Sequence, residues 1–187
     1  MCLALLCVLA SNVHAQSSFW VESFNKVTRE GKYTPQVDGQ AVSMFTPKVG
    51  VFSWALVNNG WAEAIVGVHY VPTKHLELDL GTGVETDKNP SRLQAGAFLS
   101  ISRATLYTAY EIGGSGYWYL AQGNVTVVKK DNASLGVGFR FQRFAGIGPR
   151  VQVEMPKAHL TVWASGPMFD PEDHKARNVI VGLKLAP

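Results

Sequence analysis

The sequence predicts an all-β chain closed into an antiparallel up-and-down barrel of about ten strands, within a range of roughly eight to twelve. Three observations predict it. From Lys48 onward the hydrophobic residues recur with a period of two, not 3.6. Many of the alternating segments reach about 9–11 residues, where an ordinary strand has about 5–6. The apolar row of each segment is almost free of charge. Composition narrows the class further. The 187 residues are 47% hydrophobic and carry 17 Lys+Arg against 14 Asp+Glu, which excludes a disordered tail. A net charge of +3, scattered along the chain, argues against a nucleic-acid partner. No apolar run reaches the roughly 20 residues that a membrane-spanning helix needs.

Met1 to Ala15, MCLALLCVLASNVHA, reads as a signal peptide: an apolar stretch from Leu3 to Ala10, then Val13-His14-Ala15 as a small-x-small site before Gln16. Both cysteines, Cys2 and Cys7, lie inside it. Residues 16–187 therefore offer no disulfide, thiolate metal site or cysteine nucleophile. Residues 16–47 read as an N-terminal extension. Phe19, Trp20, Phe24 and Val27 cluster as on a short amphipathic helix, with Glu22, Lys26, Arg29 and Glu30 between them. Such a segment can lie on a membrane surface, plug a barrel or add a strand pair.

Residues 48–187 read as the barrel. The clearest row is Leu76, Leu78, Leu80, Thr82, Val84, set against His75, Glu77, Asp79, Gly81, Gly83, Glu85. Successive strand residues point to opposite faces, so one face here is uncharged and the other acidic. The same split recurs at Ala62–Tyr70, Leu93–Ile101, Leu135–Phe141, Val151–Met155 and Val179–Leu185. Ten segments follow, near 48–57, 61–71, 75–85, 92–102, 104–112, 117–128, 133–144, 149–155, 158–165 and 178–186. Short connections such as Pro72-Thr-Lys alternate with Asn58-Asn-Gly, Thr86–Pro90, Gly113-Gly-Ser-Gly and the longer Gly166–Arg177 stretch.

Alternation alone fits a soluble lipocalin-like barrel with its apolar rows inside, or a membrane barrel with them outside. Strand length, apolar rows almost free of charge, and polar rows mixing glycine with Glu, Asp, Arg, Gln and His favour the membrane barrel. Tyr70, Tyr110, Tyr117, Trp118 and Tyr119 sit near segment ends, where interface aromatics belong. With this pattern the chain resembles the small outer-membrane β-barrel proteins of Gram-negative bacteria, over residues 48–187 and the signal segment. The resemblance is to a class, without a diagnostic motif. Barrels of that class usually end on an aromatic, and this chain ends Leu183-Lys-Leu-Ala-Pro187. The resemblance implies residence in the outer membrane, contact with its lipid and lipopolysaccharide, and protein partners reached through the extension or the loops.

If the polar rows face inward, the lumen-lining residues are Glu63, His69, Glu77, Asp79, Arg92, Glu111, Arg140, Arg150, Glu154 and His159, with Glu85 near a rim. Acids concentrate in the first half and arginines in the second, which predicts ion pairs across the lumen. No catalytic residue is assigned: the sequence has no Gly-x-Ser-x-Gly and no His-Glu-x-x-His, and His69, His75 and His159 read as hydrogen-bonding residues. Asp170-Pro-Glu-Asp-His lacks the spacing of a calcium loop, so neither metal nor cofactor is expected. The leading expectation is a structural, anchoring or assembly barrel. A narrow diffusion channel, a lipid-modifying enzyme and a secreted soluble binder are the alternatives.

Overall fold

The computed structural model describes residues 17–170 and 177–187. The signal segment lies outside the described residues, as do positions 171–174 of the acidic loop. Twelve strands form one closed barrel: β1 (Ser17–Val27), β2 (Tyr33–Met44), β3 (Val49–Asn58), β4 (Trp61–Thr73), β5 (Leu76–Glu85), β6 (Ser91–Ile101), β7 (Ala104–Gly113), β8 (Gly116–Lys130), β9 (Ala133–Gln142), β10 (Gly146–Met155), β11 (Leu160–Phe169) and β12 (Arg177–Leu185). Each strand pairs antiparallel with the strands before and after it, and β1 closes the ring on β12. Closure pairs every strand on both sides, with only the Ser17–Trp20 end of β1 extending past its pairing with β12. β1 starts and β12 ends at one rim, the terminal end. The opposite rim, the loop end, carries the β1–β2, β3–β4, β5–β6, β7–β8, β9–β10 and β11–β12 connections.

The ten expected segments are β3 to β12, and the two further strands come from residues 16–47. Position 47/48 is therefore no domain boundary. Of the three readings of that segment, helix and plug are corrected, and the extra strand pair is what forms. β1 pairs with β2 along its whole length, from Ser17 opposite Ser43 to Val27 opposite Tyr33. The helix-like cluster has a simple cause. Trp20 and Phe24 belong to the inner row of β1, while Phe19 and Val21 belong to its outer row. When both faces of a strand carry apolar residues, the period of two is blurred.

The apolar rows face outward. Leu80 is 69% exposed, Val66 60% and Leu93 58%, whereas Glu63, Arg92 and Arg140 are 2–3% exposed. Between the rims, the outward positions of the described residues carry no Asp, Glu, Lys or Arg. Outward aromatics gather toward both rims: Phe19, Phe45 and Tyr70 toward the terminal end, Tyr33, Tyr117, Phe144 and Phe169 toward the loop end.

The inner rows are less uniformly polar than the alternation suggested. Phe52, Trp54 and Leu56 on β3 pack with Ile65 on β4, and Trp20, Val42 and Trp61 lie against them. A second group joins Phe24, Trp163, Met168, Ile180 and Ala145. Glycines in neighbouring strands make room for these rings. A Cβ at Gly67 or Gly81 would press on the Phe52 ring, and one at Gly182 would fall on the Trp163 indole. The interior is thus packed with side chains, with two apolar clusters set among the charged ones.

Candidate functional site

The interior divides into three groups of polar side chains and one cavity. The first group sits at the loop end, on four consecutive strands. The Arg92 guanidinium on β6 donates from Nη2 to Glu111 Oε2 at 2.8 Å, and from Nη1 to Glu85 Oε2 at 3.2 Å. Its Nε lies 3.4 Å from Glu63 Oε2. The β7–β8 turn is drawn in as well: the Ser115 backbone N–H donates to Glu85 Oε1 at 2.7 Å and its hydroxyl donates to Glu85 Oε2 at 2.6 Å. Gln94 Nε2 donates to Glu111 Oε1 at 2.9 Å. One guanidinium thus lies against three carboxyl groups, and Ser115 and Gln94 add hydrogen bonds to Glu85 and Glu111.

The second group lies on β8 to β12 and on β1, across the closure. The Arg140 guanidinium carbon is 4.8 Å from the Trp163 ring centroid and 5.3 Å from that of Phe24, which is close enough for cation–π attraction. Arg140 Nε donates to Gln142 at 2.9 Å, and Nη1 donates to Gln122 at 2.7 Å. Arg150 stands 4.7 Å from the Trp163 centroid and donates to Gln152. Trp163 Nε1 donates to Glu22 Oε1 at 2.6 Å. Lys184 Nζ lies 4.3 Å over Trp20, and Glu154 accepts from Ser134 at 3.1 Å and from Gln152 at 2.5 Å.

The third group is nearer the terminal end. His69 Nδ1 and Asp79 Oδ1 are 2.7 Å apart, and Gln40 Nε2 donates to Asp79 Oδ2 at 3.1 Å across the lumen. His69 Nε2 is 3.9 Å from the half-exposed Glu77. No cluster of three or more His, Cys, Asp or Glu able to hold a metal occurs among the described residues.

A cavity of about 380 Å³ opens at the loop end. Trp54 and Trp61 line one side and Trp118 another, with the amides of Gln36, Asn58 and Gln142 between them and the Arg92–Glu111 pair beside them.

Of the ten residues expected in the lumen, nine face it. His159 is corrected: it is exposed in the β10–β11 turn with φ 52°, just after a 3₁₀ turn started by Pro156, and not on a strand. Trp118 is corrected too. It stands opposite Glu111 and so faces inward, leaving Tyr70, Tyr110, Tyr117 and Tyr119 of the five expected interface aromatics on the outer rows. The pairing also differs from expectation. Arg92 binds acids on its own wall because β4, β5 and β7 are its near neighbours, whereas Arg140 and Arg150 meet aromatics and glutamines. Glu85 ends β5 near the loop-end rim, as expected, and is buried within the Arg92 cluster. The sequence reading missed Glu22, Asp38 and Gln40 because it did not place β1 and β2 in the wall. It missed Trp163 because an aromatic in a polar row gives no charge signal.

Neither a protein-family model nor a curated protein sequence matches the chain. Solved structures do. The KdgM porin is similar with a TM-score of 0.52 at 10% identity, covering 89% of this chain and 98% of that one. The NanC porin is similar with a TM-score of 0.53 at 9% identity, covering 88% and 98%. The chain has a porin fold. At these identities the likeness concerns the path of the backbone, and every side chain in the porin-fold lumen is argued from its own geometry.

Proposed function

We propose that this protein is an integral outer-membrane barrel that serves as a narrow diffusion channel for small polar solutes. The observation that carries the reading is the cavity at the loop end, which leads from one mouth toward a charged interior. Its walls hold Arg92, Glu111 and Gln142, and Arg140 follows directly behind Gln142. The uncharged outer face and the aromatics at both rims suit a lipid bilayer, because a single Arg or Lys at mid-bilayer on that face would cost about 2–4 kcal/mol. Residues 1–15 would supply export, and the outer face would meet lipid and lipopolysaccharide. Protein partners would be reached at the loops.

Ile65, Trp163 and Arg140 are almost wholly buried and would form the waist, so a passage there would be narrow. Purified protein in a planar bilayer should give small, discrete conductance steps, and Ile65→Ala should enlarge them by widening the waist. A folded protein that gives no steps, with Ile65→Ala equally silent, would favour the second reading. That reading is a structural or anchoring barrel, and the same buried waist is the observation behind it.

A further inference from the structure

We propose that the terminal rim is a binding surface for the phosphate headgroups of anionic phospholipids in the leaflet it meets. The inference rests on the membrane placement proposed above and not on conduction. Five connections close this rim, and each brings a cation with it: Lys48 between β2 and β3, Lys74 between β4 and β5, Arg103 between β6 and β7, Lys129 and Lys130 where β8 turns into β9, and Lys157 between β10 and β11. All six side chains are exposed. The same connections hold one acid, Asp131.

The opposite rim has no such bias. By sequence, its six connections carry five cations and five acids: Arg29 and Lys32 flank Glu30, Lys88 follows Asp87, and residues 170–176 alone contribute three acids. The terminal-rim cations also lack ion-pair partners among the described residues, whose ion pairs all lie inside the lumen. Glu77 and Glu154, on the strand ends beneath the rim, belong to inner rows, where Glu77 faces His69 and Glu154 accepts from Ser134 and Gln152.

The layout of these charges selects the partner. Neighbouring connections lie two strands apart, about 10 Å along the rim, which is roughly one screening length at physiological salt, so their fields overlap. Together they form an arc from β2 to β11, ten of the twelve strands. A compact acidic protein would cover only part of such an arc, whereas a layer of headgroups meets all of it. The height fits as well. Phe45 and Tyr70, outward aromatics of the kind that seat at a bilayer interface, stand three and four residues before Lys48 and Lys74. A lysine at that level lays its alkyl stem along the apolar wall and lifts its ammonium to the phosphates. Outer-membrane barrels turn their short connections to the periplasm and their longer loops outward. The terminal-end connections have two to four residues, and those at the loop end reach seven. The arc therefore meets the periplasmic leaflet, where the anionic lipid is phospholipid and not lipopolysaccharide.

Spin-labelled lipids measure the contact directly. The protein is reconstituted in phosphatidylcholine vesicles, and electron paramagnetic resonance reads the motionally restricted fraction of a trace of spin-labelled phosphatidylglycerol or phosphatidylcholine. Phosphatidylglycerol should associate about two- to threefold more strongly. Salt at 1 M, where the screening length falls to about 3 Å, should erase most of that preference. Replacing Lys48, Lys74, Arg103, Lys129, Lys130 and Lys157 by Gln should bring the ratio close to one. Lys129→Gln with Lys130→Gln should remove part of it, and serves as the test should the sixfold variant not fold. Arg29→Gln, Lys32→Gln and Lys88→Gln together, at the loop end, should leave the ratio unchanged. A shift of gel mobility on heating certifies that each variant is folded. The proposal is overturned if the parent takes both lipids equally, if the folded rim variants keep the preference, or if the loop-end variant loses it. A protein that fails to enter vesicles would remove the membrane placement itself, whereas insertion without lipid preference would remove only this surface.

Discussion

Arg92 holds together more of the lumen than any other single side chain in the described structure. It contacts Glu63, Glu85 and Glu111 from one guanidinium, and through Glu85 it fixes the Ser115 turn. All three carboxylates are at most 5% exposed, so water cannot take over if the cation is lost. Arg92→Ala should therefore destabilise the barrel by about 3–5 kcal/mol, the range for leaving buried charge without its partner. Urea unfolding in detergent, followed by tryptophan fluorescence, reads the loss directly. Arg92→Lys should recover only part of it, because an ammonium cannot present a planar fork to three acids at once. Gly182 and Trp163 make a complementary point about packing. The indole lies where a side chain at 182 would stand, and it donates to Glu22 from that position. In the sequence Gly182 is one more glycine in a polar row, and nothing beside it names the ring that needs its space.

At the scale of strands, the outer rows were the most legible part of the chain. Leu76, Leu78 and Leu80 alternate with Glu77 and Asp79, and a one-residue shift would move the whole set to the wrong face. That legibility yields a direct test of what surrounds the wall. Leu80→Arg should destabilise the protein in lipid by about 2–4 kcal/mol, while Leu80→Ala should cost far less. For an exposed leucine facing water, both changes would be close to neutral, so the difference measured by unfolding from lipid vesicles identifies the solvent of that face. β1 and β2 were the least legible strands. The inner row of β1 holds Trp20 and Phe24 beside Glu22, so charge does not separate its two faces. β10 is a middle case. Pro149 cannot donate to the ladder, and the register with β11 shifts between Ile147 and Arg150, where a bulge accommodates it. The Pro149 carbonyl accepts from Ser165 Oγ at 2.9 Å, a contact between neighbouring strands that no local pattern announces.

At the scale of the whole molecule, the alternation predicted outward apolar rows and an inward charged set, but not how the inward set would pair. Pairing depends on which strands become neighbours and how they are staggered, and that is fixed only when the ring closes. The closure itself is uneven. β1 meets β2 from Ser17 to Val27, but its register with β12 covers only Val21 to Val27. Every other junction joins strands that follow one another in the chain, whereas this one joins the first strand to the last. The molecule is a bracelet with a single clasp, and force, heat or denaturant should part it there first. Residues 16–187 contain no cysteine, so the clasp can be locked cleanly: Ser23 and Leu183 face each other across it, and Ser23→Cys with Leu183→Cys would join them on oxidation. The oxidised double variant should unfold at a higher temperature than its reduced form, by up to about 4 kcal/mol of added stability. A pair of cysteines bridging an ordinary hairpin such as β3–β4 should add less, because the chain already holds those two strands together.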